Sequence, residues 1–79
     1  MHDVDMDETL RTWGANIKRF REAYNLSQQA LADELLVGQS TIARWEAGGS
    51  EPRRPHKVRL AETFNTDVAI LFPLTRAAA

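Results

Sequence analysis

Along this chain the apolar residues recur at helical spacing, and the strict alternation of a half-buried strand is absent. Leu10, Trp13, Ile17, Phe20 and Tyr24 follow one another at intervals of 3, 4, 3 and 4, which draws one face of an α-helix. Arg11, Lys18, Arg19 and Arg21 fall off that stripe, so the aromatic residues on it read as core. Thr9 is placed to cap the start of this helix, and Asn25, which tolerates positive φ, to end it. A second, short helix follows a Ser27 cap and buries Leu31, Ala32 and Leu35. Leu36-Val37-Gly38 breaks it, with Val37 plugging the gap to a third helix. That helix spans about Gln39 to Ala47, turns Ile42 and Trp45 inward, and ends at Gly48-Gly49.

A polar loop from Ser50 to Pro55 leads to a fourth helix, roughly His56 to Phe64, with Val58, Leu60, Ala61 and Phe64 as its apolar surface. After an Asn65-Thr66 turn, Thr66 or Asp67 caps a short helix through Phe72, and Pro73 stops it. The expected fold class is all-α, five short helices around one core. Residues 1–8, MHDVDMDE, show no apolar period and read as an acidic, flexible tail. The folded domain is expected over 9–73, and 74–79 as a C-terminal tail with no core role.

Seventy-nine residues make one small domain, near the lower limit of what a single core sustains without staples. No cysteine is present to supply a disulfide or a thiolate metal ligand. His2 and His56 are far apart in sequence and read as surface histidines, so neither a metal site nor a cofactor is expected. No apolar run approaches the roughly 20 residues of a membrane span, and the N-terminus lacks the features of a secretory signal. A soluble cytosolic protein with no membrane partner is expected.

The net charge of −1 argues at first against a nucleic-acid partner, but its distribution changes the picture. Asp3, Asp5, Asp7 and Glu8 give residues 1–10 a charge of −4. The remainder is +3, with Arg53, Arg54, Lys57 and Arg59 clustered after the third helix. Opposite Ile42 and Trp45, that helix exposes Gln39, Ser40, Thr41 and Arg44. Glutamine pairs bidentately with adenine, arginine with guanine, and serine or threonine with either, so this face suits base edges in a major groove. An enzyme is excluded on the residues: no nucleophile has a base partner, no acid pair is enclosed, and the chain is small for a deep pocket.

From Asn16 to Leu71 the chain resembles the Cro/C1-type (Xre-like) helix-turn-helix domains of phage repressors and bacterial regulators. The resemblance is carried by Leu26-Ser27-Gln28, Leu31-Ala32, Val37, Ser40-Thr41-Ile42, Arg44-Trp45-Glu46, Pro52 and Leu60-Ala61, with no gap between Leu26 and Glu46. It implies a lambda-repressor-like fold, with the helix-turn-helix over about 27–47. The implied function is sequence-specific binding of double-stranded DNA as a transcriptional regulator, most simply a repressor, in the cytoplasm of a bacterial host at the nucleoid.

By position, the resemblance assigns Gln39, Ser40, Thr41 and Arg44 to base edges and Gln28, Ser27, Arg53 and Arg54 to the DNA backbone. Arg21 and Glu46 match an ion pair bridging the first and third helices. Relatives of this size bind palindromic operators as homodimers, for which Ile70, Phe72 and Leu74 form the candidate patch and Leu71 reads as core. Asp33 and Glu34 match acidic residues that touch RNA polymerase in similar repressors. The sequence departs from the family at Leu36, where Gly or Asn is usual, and at Gly38, where Ser or Thr usually caps the third helix. A left-handed Leu36 would cost about 1–2 kcal/mol, the missing cap a few tenths. The competing reading is a protein-interaction module on the same fold, such as an antitoxin, antirepressor or accessory factor, motivated by the acidic tail and by Asp33-Glu34.

Overall fold

The computed structural model describes residues 5–74. These residues form five helices: α1 (Met6–Ala23), α2 (Gln28–Leu35), α3 (Gln39–Glu46), α4 (Arg54–Thr63) and α5 (Val68–Leu71). Among the described residues there is no strand. The buried core takes Trp13 and Ile17 from α1, Leu31, Ala32 and Leu35 from α2, and Ile42 and Trp45 from α3. Leu60 and Ala61 of α4, with Phe64, Leu71 and Phe72, close it, and Val37 packs against it from the turn.

The chain start differs from the sequence expectation. Helix α1 begins at Met6, its N-cap is Asp5, and the Asp5 carboxylate accepts the backbone N–H of Glu8. Thr9 is therefore fully buried inside the helix rather than capping it. Hydrophobic periodicity misses this first turn because its side chains are exposed; the turn is held by a cap and by Asp7 and Glu8 at the positive end of the helix dipole. The expected tail of 1–8 is thus shortened; residues 1–4 of it, with His2, and residues 75–79 lie outside the described residues. Helix α4 also starts earlier than expected, because Arg53 takes the N-cap position and Pro55 fits the first turn, where its missing N–H costs nothing. Helix α5 is shorter than expected, and the Asp67 side chain makes no capping bond.

Four helices end in the same way. A left-handed residue, Asn25, Leu36, Gly48 or Asn65, reverses the chain. The next N–H then bonds back to a carbonyl in the last turn: Leu26 to Arg21, Val37 to Ala32, Gly49 to Arg44 and Thr66 to Ala61. Two asparagines and a glycine suit this conformation, and Leu36 at φ 59° does not.

Contacts between α1 and α3 and between α2 and α3 set the angle at which α3 stands. At Gly14 the first and third helices approach so closely that a β-carbon would overlap the carbonyl oxygens of Trp45 and Glu46. At the other end of the core, Trp13 meets Phe72 edge to face, ring centroids 5.5 Å apart, and its indole N–H donates to the Pro73 carbonyl. Asn16 donates to the Leu71 carbonyl at 2.9 Å. The Lys57 ammonium lies 4.2 Å above the Trp13 ring and 3.2 Å from the Glu51 carboxylate, tying the loop before α4 to α1.

Candidate nucleic-acid interface

Helix α3 buries Ile42 and Trp45 and exposes Gln39, Ser40 and Arg44, with Thr41 partly covered. The 3.6-residue period makes this division: with Ile42 and Trp45 three apart and turned inward, Gln39, Ser40 and Arg44 lie off the buried side. Gly38 occupies the N-cap with no side-chain bond, and Gly48 at φ 80° ends the helix so that the loop to α4 can turn away. Trp45 is held on its far side by the His56 ring at 5.3 Å.

Helix α2 opens beside this face. The Ser27 hydroxyl accepts the Ala30 N–H at 3.0 Å. The Gln28 side chain stands between α2 and α3, its amide donating to Glu46 Oε1 at 3.1 Å and accepting from the Gln39 amide at 3.2 Å. Beneath lies the Arg21–Glu46 pair. Arg21 Nε donates to Glu46 Oε2 at 2.6 Å, Nη2 to Oε1 at 3.1 Å, and Nη1 to the Leu26 carbonyl at 2.7 Å. The hydrogen bond that Arg21 donates to Glu46 pushes the Arg21 pKa up, outweighing burial, which pushes it down. Arg53 and Arg54 are exposed at the start of α4.

The other residues singled out in the sequence are dispersed. Asp33 and Glu34 are exposed on α2, Asp33 accepting from Gln29 at 2.8 Å and the Glu34 carbonyl from Arg59 at 2.9 Å. Ile70 and Leu74 are 57% and 68% exposed. Phe72 is corrected: at 7% exposed and packed on Trp13 it belongs to the core, because the chain bends after α5 and folds this ring back onto α1. Sequence reasoning missed the position of Gln28 between Glu46 and Gln39; its polar type and place at the start of α2 gave no sign of the inward bond. Among the described residues no group of three His, Asp or Glu side chains is placed to hold a metal ion, and no helix is long and apolar enough to cross a membrane.

The helix-turn-helix family model matches residues 17–71. The chain belongs to the helix-turn-helix family, of Cro/C1 (Xre-like) type. Membership in this family supports DNA-binding transcription regulation as the chain's function. Solved structures are similar over most of its length. The restriction-modification controller protein C.AhdI from Aeromonas hydrophila is 25% identical, with 80% of this chain and 96% of that one covered and a TM-score of 0.74. The P22 c2 repressor, crystallised with a synthetic operator, is 23% identical over 77% of this chain and 92% of its own, TM-score 0.74, a likeness of fold. The same helix-turn-helix fold also occurs within a larger protein, hydroxypropylphosphonic acid epoxidase from S. wedmorenis. That epoxidase is 28% identical over 81% of this chain but only 34% of its own length, with a TM-score of 0.74. No curated protein sequence matches the chain.

Proposed function

We propose that this protein represses transcription, as a phage or bacterial repressor does, by binding a specific DNA sequence with α3 in the major groove. The observation that carries the reading is the outward face of α3, where Gln39, Ser40 and Arg44 stand exposed over a fully buried Ile42. In this reading Gln39, Ser40, Thr41 and Arg44 read base edges. The Gln28 amide keeps one N–H beyond its bond to Glu46, and with Ser27 and the free N–H groups of α2 it meets a phosphate. Arg53 and Arg54 lie along the sugar-phosphate backbone and supply part of the salt-dependent affinity. Two copies bind a palindromic operator with half-sites about 34 Å apart, pairing through exposed Ile70 and Leu74. The work is done at the nucleoid.

A second reading, a protein-interaction module, draws on the exposure of Asp33 and Glu34, which present acid to a partner such as RNA polymerase. It differs in its main ligand.

Selection of duplexes from a random pool, followed by binding of the winner and of a scrambled control across salt concentrations, tests the proposal. The expected result is a palindromic winner favoured by about 10³-fold or more. Weak binding to both duplexes that vanishes steeply with salt would sink it and turn attention to a protein ligand.

A further inference from the structure

We propose that Glu46 sets which base Gln39 reads, by fixing the hydrogen-bond polarity of the two glutamine amides that join them. The inference rests on the reading of Gln39 as a base-edge reader. Glu46 cannot touch DNA in that arrangement: its side chain is 5% exposed and clamped from below by Arg21, itself 11% exposed. A carboxylate paired with a guanidinium is ionised and only accepts hydrogen bonds. Gln28 must therefore turn its NH₂ group toward Glu46 Oε1, where it lies at 3.1 Å. That choice points the Gln28 carbonyl oxygen at Gln39, and a carbonyl also only accepts. Gln39 must answer with its own NH₂, at 3.2 Å.

One N–H and the carbonyl oxygen of Gln39 are left for a ligand. A donor beside an acceptor is the complement of adenine, which shows N7 and N6–H₂ in the major groove. A guanine shows two acceptors, N7 and O6, and gains only one bond from this set. The polarity is dictated by the charge at the bottom of the chain, whatever the intrinsic preference of either amide. Glu46 is thus a positioning residue that acts through Gln28.

The substitution Glu46→Gln makes the argument testable. Arg21 donates to both carboxylate oxygens of Glu46. The amide oxygen of the variant keeps the shorter bond, 2.6 Å from Nε at the Oε2 position, over the 3.1 Å bond from Nη2, which is lost. The new NH₂ then faces Gln28. Gln28 then accepts from position 46 and donates to Gln39, which must accept through its carbonyl. Both N–H groups of Gln39 are released, and two donors match guanine.

The experiment uses the duplex that the wild-type chain selects from a random pool. Comparison with the pool selected by Gln39→Ala locates the base pair that Gln39 reads, and binding is then measured with A·T and G·C at that pair. Wild type is expected to favour adenine by about tenfold or more, Gln39→Ala to favour neither, and Glu46→Gln to favour guanine. Gln28→Leu keeps the Arg21–Glu46 pair and cuts the relay, so its adenine preference should collapse; it carries the test if Glu46→Gln does not fold, as judged by circular dichroism. A folded Glu46→Gln chain, or a Gln28→Leu chain, that keeps the full adenine preference overturns the relay, even if it binds every duplex more weakly. A Gln39→Ala pool identical to the wild-type pool overturns the base-reading role of Gln39 instead, and the relay with it.

Discussion

Gly14 and Trp45 meet backbone to backbone: a β-carbon at position 14 would overlap the carbonyl oxygens of Trp45 and Glu46. This is where α1 fixes the depth of α3. Replacing Gly14 by alanine gains about 1 kcal/mol of helix propensity, yet the obstacle is backbone and cannot swing aside. The variant is expected to lose about 3 kcal/mol, the upper end for overpacking, read as a lower urea midpoint at unchanged slope. A midpoint equal to wild type would show that the two helices separate at no cost.

Leu36 should respond in the opposite direction. It ends α2 at φ 59° with 89% of its surface in water, so it carries left-handed strain and contributes almost no burial. Leu36→Gly relieves about 1–2 kcal/mol of that strain, and the greater freedom of the unfolded chain takes back roughly half. A rise of about 4 °C in thermal midpoint is expected, with Leu36→Asn intermediate. A fall would mean that the exposed leucine has a packing role in solution.

The two classes of arginine should separate cleanly. Arg44→Ala is expected to cost about 1–3 kcal/mol and to relax preference at one base pair per half-site. Arg53→Ala and Arg54→Ala should weaken selected and scrambled duplexes alike, each reducing the salt slope by about 1. If Arg44→Ala and Arg53→Ala give the same pattern, α3 is not the reading element.

Ile70 offers a test of pairing. It is 57% exposed, so Ile70→Glu should change the stability of the monomer by no more than about 0.5 kcal/mol. Dimerisation measured by sedimentation, on and off the selected duplex, should nevertheless fall. Unchanged association would locate the interface elsewhere.

The fold was legible where burial leaves a period in the sequence. The stripe from Leu10 to Phe20, the pairing of Ile42 with Trp45, and the residues Asn25 and Gly48 at helix ends all correspond to the observed elements. Tyr24, read as core, instead stands at the cap of α1 with 47% of its surface exposed and its ring against Phe64. The misses have a common cause, which is that nothing in local pattern records a contact between distant segments. Met6 to Glu8 is helical without an apolar stripe. Phe72 looks like surface until the bend after α5 delivers it to Trp13. Gly14 reads as a weak helix residue until Trp45 and Glu46 are seen to press on it. For the candidate site, residue types on α3 were readable from their spacing, whereas the chain of bonds from Arg21 through Glu46 and Gln28 to Gln39 joins three helices and has no sequence signature.

The bonds from Trp13 to Pro73 and from Asn16 to Leu71 span 60 and 55 residues. Small helical proteins usually fold fast because their contacts are local, but here α1 waits for residues 71–73 before its indole and amide find their partners. On the ribosome α1 would therefore emerge with the Trp13 face uncovered, and the domain would close late, in one step, rather than helix by helix.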